Sequence, residues 1–207
     1  MSDPLQDLDP VHRPGDWELL YEREDPDGLP WTWQELDSDL SSAIESLALK
    51  GRFLDLGTGP GTQAIALARR GFQVVGTDLS ANAVAKARER AAREGVTVDF
   101  RQDDIIDSGL DGGFAGISDR GCFHVLPAEA RPRYVETVHR LLEPAGYFFL
   151  KCFSVLQDGT EGPHRFTRSE IGALFEPSFE VIAIADTVYQ GTLPEHPKAL
   201  FCVLRQR

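Results

Sequence analysis

The feature that most constrains this chain is an apolar strand that runs into a glycine-rich turn and then into a helix. The segment reads FLDLGTGPGTQ over residues 53–63, and a helical run follows over 64–70. Gly57, Gly59 and Gly61 let the backbone bend tightly and approach a ligand. The N–H groups at the start of the next helix then face that ligand. A turn of this kind, at the carboxyl end of a strand, is where open α/β sheets bind nucleotides.

The hydrophobic pattern predicts alternating strands and helices from Arg52 onward. Two strands in succession near the end, 179–186 and 199–204, predict an antiparallel ending on a mostly parallel sheet. Before the sheet, an amphipathic pattern from Leu36 to Leu47 predicts a helix that Gly51 ends. We therefore expect a tail with cap or lid helices over 1–50 and a ligand-binding domain over 51–207. The other predicted strands are 53–56, 73–77, 97–101, 114–118 and 147–153, and the other helices are 63–70, 81–94 and 128–142.

Length and composition exclude several classes of protein. A chain of 207 residues with 42% hydrophobic residues suits one globular domain with a real core. The net charge of −12 disfavours a nucleic-acid partner, and no apolar run is long enough for a membrane span. The three cysteines form no CxxC pair, which predicts free thiols, a reducing cytoplasmic location and no metal site. We expect a small-molecule acceptor and a monomer or homodimer.

The spacing of the glycines reduces the number of nucleotide classes that the turn could bind. A dinucleotide turn has the spacing G-x-G-x-x-G/A, whereas here the third glycine, Gly61, arrives one position early. No Gly-Lys-Ser/Thr follows, which excludes a Walker loop. Asp78 ends the next strand, where a carboxylate can accept both ribose hydroxyls of NAD or of an adenosine ligand. Asp103 and Asp104 follow the third strand, where a carboxylate can accept the exocyclic amine of adenine.

Four motifs at strand ends make the chain resemble the class I S-adenosylmethionine-dependent methyltransferases. They are DLGTGPG at 55–61, VVGTDLS at 74–80, RQDDI at 101–105 and SDRGCFHVLP at 118–127. The resemblance spans roughly residues 50–207. It implies a Rossmann-like α/β fold, a sandwich with a mostly parallel seven-stranded sheet, an antiparallel last strand and helices on both faces. It also implies S-adenosyl-L-methionine as cofactor and S-adenosyl-L-homocysteine as product.

The resemblance also implies which residues hold the cofactor. Asp55, Gly57 and Gly59 would meet the methionine part, Asp78 the ribose, and 103–105 the adenine. As alternatives, Asp78 would be a helix N-terminal carboxylate and Asp104 a turn former. The complete predicted cofactor site is Asp55, Gly57, Thr58, Gly59, Gly61, Asp78, Leu79, Asp103, Asp104, Ile105, Asp119 and Trp33.

The acceptor is expected beyond the fourth strand, where Asp119 and His124 are the predicted catalytic residues. His124 would act as a base for a thiol or an amine, or would be only structural. Asp119 would orient the donor methyl or acceptor, or would cap the following segment. Trp31 and Trp33 would form a lid that favours a sulfonium by cation–π contact, or would fill the core. The predicted substrate-binding residues are Trp31, Trp33, Arg120, His124, His164 and Arg165, with the last two recognising an acidic group or forming a plain surface loop.

The short segment LPWTW at 29–33, together with DRGCFHVLP at 119–127, is similar to the thiopurine, thiol and halide methyltransferases and their tellurite-resistance relatives. This branch implies an acceptor with a thiol or another soft nucleophile. Methylation of nitrogen or oxygen in a small metabolite is the alternative. A third interpretation is a regulatory protein that binds S-adenosylmethionine without catalysis.

Overall fold

The structure is a computed structural model that describes residues 14–159 and 162–207. The predicted loose tail over 1–14 lies almost wholly outside the described residues, as does part of the 158–165 loop. The helices are α1 (Pro14–Arg23), α2 (Ser38–Ser46), α3 (Thr62–Arg69), α4 (Ala81–Glu94), α5 (Arg131–Leu141) and α6 (Arg168–Phe175). The strands are β1 (Arg52–Leu56), β2 (Gln73–Asp78), β3 (Asp99–Gln102), β4 (Phe114–Arg120), β5 (Leu142–Phe153), β6 (Phe179–Val188) and β7 (Lys198–Gln206).

All seven strands form one sheet in the order β3-β2-β1-β4-β5-β7-β6. Neighbours from β3 through β5 are parallel, whereas β7 lies antiparallel to both β5 and β6. The predicted fold, with its antiparallel last strand, is confirmed. The chain order reverses between β1 and β4, so the carboxyl ends of these two strands border the crevice where such sheets bind ligands.

Each face of the sheet carries its own apolar core, as expected for strands with helices on both sides. On one face α2, α3 and α4 cover Phe53 and Phe149, whose rings stack with centroids 6.1 Å apart. On the other face α5 and α6 cover Phe148, which alternates with Phe149 along β5. Among the described residues, none of the helices has the length and apolarity that crossing a bilayer requires.

The structure shifts the ends of two predicted helices. α2 ends at Ser46 rather than at Gly51, and Ala48 leaves the helix with a φ of 47°. The start of α2 is capped by Asp37, whose side chain accepts from the N–H groups of Asp39 and Leu40. α5 begins at Arg131 because the preceding residues 128–130 form a 3₁₀ turn.

A buried ion cluster joins the segment before α2 to the sheet. The ammonium of Lys151 lies 2.5 Å from Asp37 Oδ2 and 2.7 Å from the carboxylate of Asp39. Arg120 Nε donates to the same Oδ2 atom of Asp37 at 3.1 Å. Lys151 and Asp37 are each 2% exposed. Because isolated charges are costly to bury, each member of this cluster needs the others.

Lys151→Met should lower the free energy of unfolding by about 3 kcal/mol, because it leaves the buried Asp37 carboxylate with Arg120 as its remaining cation. Burial raises the pKa of Asp37, but the positive charges of Lys151 and Arg120 outweigh it and leave the pKa lowered. The cluster therefore stabilises the fold at neutral pH, and this contribution is lost as the pH falls below about 4. Urea unfolding at pH 7 and at about pH 2.5 measures both effects.

Arg168→Met is the matched control, since Arg168 pairs with Asp186 on the surface with both side chains about half exposed. Removing an exposed pair should cost less than about 1 kcal/mol. Equal losses in the two variants would contradict a special role for the buried cluster.

Candidate active site

A cavity of about 750 Å³ lies at the carboxyl ends of β1, β2 and β4. The segments after β3, β5 and β6 complete its walls, and α1 with residues 30–32 covers it. Most of the predicted site residues meet here although they are far apart in the chain. Those that line the cavity are Trp31, Asp55, Gly57, Thr58, Gly59, Asp78, Leu79, Asp103, Asp104, Ile105, Arg120, His124 and Arg165.

The glycine-rich turn presents bare backbone to the cavity. Gly57 and Gly59 have φ values of +61° and +51°, in the left-handed region that favours glycine. A Cβ at Gly59 would stand 2.7 Å from the hydroxyl of Tyr21 on α1. Gly61 does not line the cavity, and a Cβ there would stand 2.8 Å from the ring of Phe100. The prediction that Gly61 contacts the cofactor is therefore not matched by its position, since this glycine allows close packing behind the turn.

Asp55, near the end of β1, holds the glycine-rich turn in position. Its two carboxylate oxygens accept from the hydroxyls of Thr58 at 2.7 Å and Ser118 at 3.0 Å. Burial raises the pKa of Asp55 to about 6, although both hydrogen bonds lower it. The carboxylate therefore couples β1, its turn and β4.

Asp78 joins the turn to the start of α4. One oxygen accepts from the N–H of Gly59 at 2.8 Å, and the other accepts from the N–H of Ser80 at 3.0 Å. Burial raises its pKa to about 6 as well. The helix N-terminal role that the sequence offered as an alternative is thus present, and the same carboxylate also faces the cavity.

Asp103 and Asp104 have different roles after β3. Asp104 forms a turn, because its side chain accepts from the N–H of Ile106 at 2.9 Å. Asp103 Oδ1 accepts from the N–H of Gly109 at 3.1 Å. Its other oxygen, Oδ2, is buried without a hydrogen-bond partner in the part of the chain that the structure describes. A buried acceptor of this kind, in a cavity wall, suits a donor group on a ligand.

Asp119, a predicted catalytic residue, caps the loop after β4. Its carboxylate accepts from the N–H groups of Gly121, Cys122 and Phe123 at 2.8–3.0 Å and from the hydroxyl of Tyr134. It is 1% exposed and does not line the main cavity. Burial raises its pKa to about 6. The geometry therefore corresponds to the capping alternative, with this carboxylate outside the main cavity.

His124, the other predicted catalytic residue, lines the cavity but is 5% exposed. Its Nδ1 accepts from the backbone N–H of Phe153 at 3.2 Å. Its ring lies edge-on to Phe153, with centroids 4.9 Å apart, and stacks on Tyr189 at 5.9 Å. Burial lowers the pKa of His124 to about 3, and the neighbouring charge of Arg120 adds to this effect. With so low a pKa the imidazole is only a weak base, and the N–H of Phe153 already occupies its Nδ1 lone pair, so the geometry does not suit the predicted role as a base.

Arg120, at the end of β4, binds the backbone of two segments that border the cavity, one at Trp31 and one at Gln190. Besides Asp37, its guanidinium donates to the carbonyl oxygens of Trp31 at 2.8 Å and Gln190. The same group lies 4.5 Å from the centroid of the Tyr189 ring. Arg120 borders the cavity, yet its Nε and both terminal nitrogens already donate to the protein. This arrangement makes it a clamp for the cap rather than a ready substrate contact.

The remaining predicted residues divide between the cavity and its surroundings. Trp31 lines the cavity beside Trp17, with ring centroids 5.9 Å apart. Trp33 lies outside it against His196 at 5.9 Å. His164 is exposed and packs on Phe166 outside the cavity, whereas Arg165 is in the wall. The lid prediction thus fits Trp31 and not Trp33.

Four aromatic residues of the site were missed by sequence reasoning: Trp17, Tyr21, Phe153 and Tyr189. Tyr21 follows Trp17 by one helical turn, and this i, i+4 spacing was a usable signal. Phe153 ends β5 and Tyr189 directly follows β6, which runs parallel to β5. Ligands bind at the carboxyl ends of the strands in such sheets. Applying this rule to β5 and β6 would have identified both residues.

Comparisons with known proteins agree with this architecture. Residues 53–146 match a family described as a methyltransferase domain. A 2-heptyl-1-hydroxyquinolin-4(1H)-one methyltransferase from Mycobacteroides abscessus is 31% identical over 179 residues, which span 83% of this chain and 75% of that relative. A thiopurine S-methyltransferase from Legionella pneumophila is 29% identical over 147 residues, covering 63% of this chain and 66% of the relative.

Among solved structures, the Burkholderia thailandensis 1,6-didemethyltoxoflavin-N1-methyltransferase, with 1,6-didemethyltoxoflavin and S-adenosylhomocysteine bound, has a similar fold. The TM-score is 0.74 at 22% identity, over 93% of this chain and 86% of that one. The chain therefore belongs to the class I S-adenosylmethionine-dependent methyltransferases, and S-adenosylmethionine is its methyl donor. The bare glycine turn and the unpartnered Asp103 oxygen fit an adenosyl ligand that carries an amino-acid tail.

Asp119→Ala should destabilise the fold by about 3 kcal/mol, because it leaves several buried donors unsatisfied. Tyr134→Phe removes one of these partners and should cost about 1 kcal/mol. Urea unfolding compares the two variants. An Asp119→Ala protein with unchanged stability and no turnover would instead indicate direct participation in the reaction.

Proposed function

We propose that this methyltransferase acts on a small, flat aromatic heterocycle through an acidic S–H or O–H group. The observation that carries the proposal is an aromatic wall of the cavity, formed by residues at the ends of β4, β5 and β6. The rings of His124, Phe153 and Tyr189 contact one another in this wall, with centroids 4.9–5.9 Å apart. Faces and edges of aromatic rings favour flat π systems in offset or edge-on geometry.

The size of the cavity supports a small acceptor. Its volume of about 750 Å³ lies within the range of small-molecule sites. The cap, formed by α1 and the segment at 30–32, covers the cavity and would shield a bound acceptor from solvent. In this proposal residues 1–50 comprise a tail and the helices of the cap, and 51–207 form the catalytic domain.

Relatives point to the same acceptor class. The names of two relatives designate a hydroxyquinolinone and a thiopurine as substrates. Both substrates are fused aromatic heterocycles, one with an N-hydroxyl and the other with a sulfur substituent. An acidic heteroatom on a flat ring is thus common to them, and a thiol or another soft nucleophile is one member of this class.

The donor half of the cavity is proposed to hold the cofactor in three places. The turn at 57–59 meets the methionine part, with Asp55 holding Thr58 in position. Asp78 accepts from the ribose hydroxyls, and Asp103 Oδ2 accepts from the adenine amine while Leu79 and Ile105 border the base. Gly61 and Trp33 support this half from outside the cavity.

S-adenosylmethionine supplies an electrophilic methyl group on a sulfonium. The chain's own residues align the acceptor and exclude water, which are the main catalytic contributions to such a displacement. Arg120 holds the segments at Trp31 and Gln190 over the cavity. The cytoplasmic location, the lack of a nucleic-acid partner and the monomeric or homodimeric state remain predictions.

Asp78→Asn should weaken S-adenosylhomocysteine binding about 10- to 100-fold, because a charged acceptor for two hydroxyls becomes a neutral amide. Isothermal calorimetry measures this change. Asp99→Asn is the matched control, since Asp99 is exposed and pairs with Arg101 on the surface. Unchanged affinity in Asp78→Asn would refute the ribose assignment.

A panel assay for S-adenosylhomocysteine release tests the acceptor class. We expect turnover of 6-mercaptopurine and 1-hydroxyquinolin-4-one to exceed that of 2-mercaptoethanol and aniline at least about tenfold, because flat rings fit the aromatic wall. Preference for aniline would favour nitrogen methylation. Tight cofactor binding without turnover of any acceptor would favour a non-catalytic binding protein.

A further inference from the structure

We propose that His124 binds the ionised heteroatom of the acceptor through its Nε2–H, so that the acceptor is methylated as a preformed anion without a general base. This inference rests on the proposed function and specifies the charge state of its substrate. It assigns His124 the role of a hydrogen-bond donor, in place of the base predicted from the sequence.

The hydrogen bond at Nδ1 determines the tautomer. A backbone N–H is always a donor, so the Nδ1 that faces the N–H of Phe153 at 3.2 Å must carry a lone pair. A neutral imidazole then carries its proton on Nε2. Protonation of Nδ1 would break the bond to Phe153, and Nε2 already holds a hydrogen. In this state the ring has no lone pair left to accept a proton from the acceptor.

Gly121 borders the Nε2 side of the His124 ring, next to the hydroxyl of Tyr189. A Cβ at this position would stand 3.4 Å from Nε2 and would overlap the hydroxyl of Tyr189. Gly121 also has a φ of +112°, which side chains rarely adopt, and it lines the cavity beside His124. No residue in the described ranges accepts a hydrogen bond from Nε2, so this donor remains available to a ligand.

The charges around His124 oppose its protonation. Burial lowers the pKa of His124 most, and Arg120 on β4 and His164 on the loop after β5 lower it further. The Tyr189 hydroxyl, which follows β6, donates to the carbonyl oxygen of Arg120 and holds no negative charge toward the ring. Arg120 and Arg165 lie in the cavity wall, where Arg120 is paired with Asp37.

No other group in the described part of the acceptor half takes over as a base. Asp119 is occupied by four donors and lies outside the main cavity. Burial and nearby carboxylates raise the pKa of Cys122 well above its usual value, so this thiol stays protonated. Asp158 also lines the cavity, but its side chain is solvent-exposed on the loop after β5.

The step balances without a proton transfer. A lone pair of the acceptor anion forms the new bond to the methyl carbon as the carbon–sulfur bond of the sulfonium breaks. The sulfur keeps the electron pair of that bond, so an anion and a cation give two uncharged centres. The Nε2–H bond to the anion orients the nucleophile, and an acceptor with an acidic S–H or O–H is already ionised near neutral pH.

Nitrogen-15 NMR of the full-length protein tests the tautomer directly, independently of any acceptor. Long-range correlations from the ring protons should show Nε2 protonated and Nδ1 unprotonated from about pH 5 to about pH 9. A titration of His124 with a midpoint within this range, or a proton on Nδ1, would overturn the inference. This measurement remains decisive even if no compound of the acceptor panel is methylated, which would refute the proposed acceptor class instead.

A pair of variants tests the donor in the reaction. His124→Gln retains an amide donor near the Nε2 position and cannot act as a base, whereas His124→Asn retains a group for the Phe153 N–H and loses the donor. With 6-mercaptopurine as acceptor, kcat/KM should fall less than about tenfold in the first variant and about 10- to 100-fold in the second. Unchanged S-adenosylhomocysteine binding and unfolding midpoints serve as the folding control.

The pH profile separates a donor from a base. Across thiophenols of different acidity, the inflection in kcat/KM should follow the pKa of the acceptor in both the wild type and His124→Gln. An inflection that stays constant across acceptors and disappears in His124→Gln would identify a base and overturn the inference. Equal losses in the two His124 variants would also overturn it.

Discussion

Buried carboxylates at the ends of the strands are the constraint on which this site depends. Asp55, Asp78 and Asp119 each end or nearly end a strand, and burial raises the pKa of each to about 6. A carboxylate removed from water must find donors, and these three find them in the loops that follow β1, β2 and β4. The loops are thereby held in the shapes that form the cavity. One of the three carboxylates, Asp119, is fully occupied by its loop and by Tyr134.

A second constraint is the attachment of the cap. The ion cluster of Asp37, Arg120 and Lys151 holds the segment before α2 against the strand ends. Arg120 also donates to the carbonyl oxygens of Trp31 and Gln190, so one side chain joins an early and a late segment of the chain over the same cavity. The enzyme thus closes its active site with residues from opposite ends of the sequence.

His124 illustrates how packing changes the chemistry of a residue. A histidine in solution titrates near about pH 6.5 and suits proton transfer. Here the backbone of β5 occupies one nitrogen, and aromatic rings with a neighbouring guanidinium disfavour the charged form. The side chain that remains is a neutral donor facing the aromatic half of the cavity. In the proposed reaction such a group would select acceptors by their charge rather than activate them.

The sequence by itself determined the fold, the cofactor and most of the donor half of the cavity. Strand and helix periods are local, and the rule that ligands bind at strand carboxyl ends predicted Asp78 and Asp103 as cofactor-binding residues, both of which line the cavity. Only the tertiary structure decided the roles of Asp119, Arg120, His124 and Gly61. Their chemistry depends on which donors and charges the fold brings within about 3 Å, and those partners lie on distant strands and loops that no local pattern specifies.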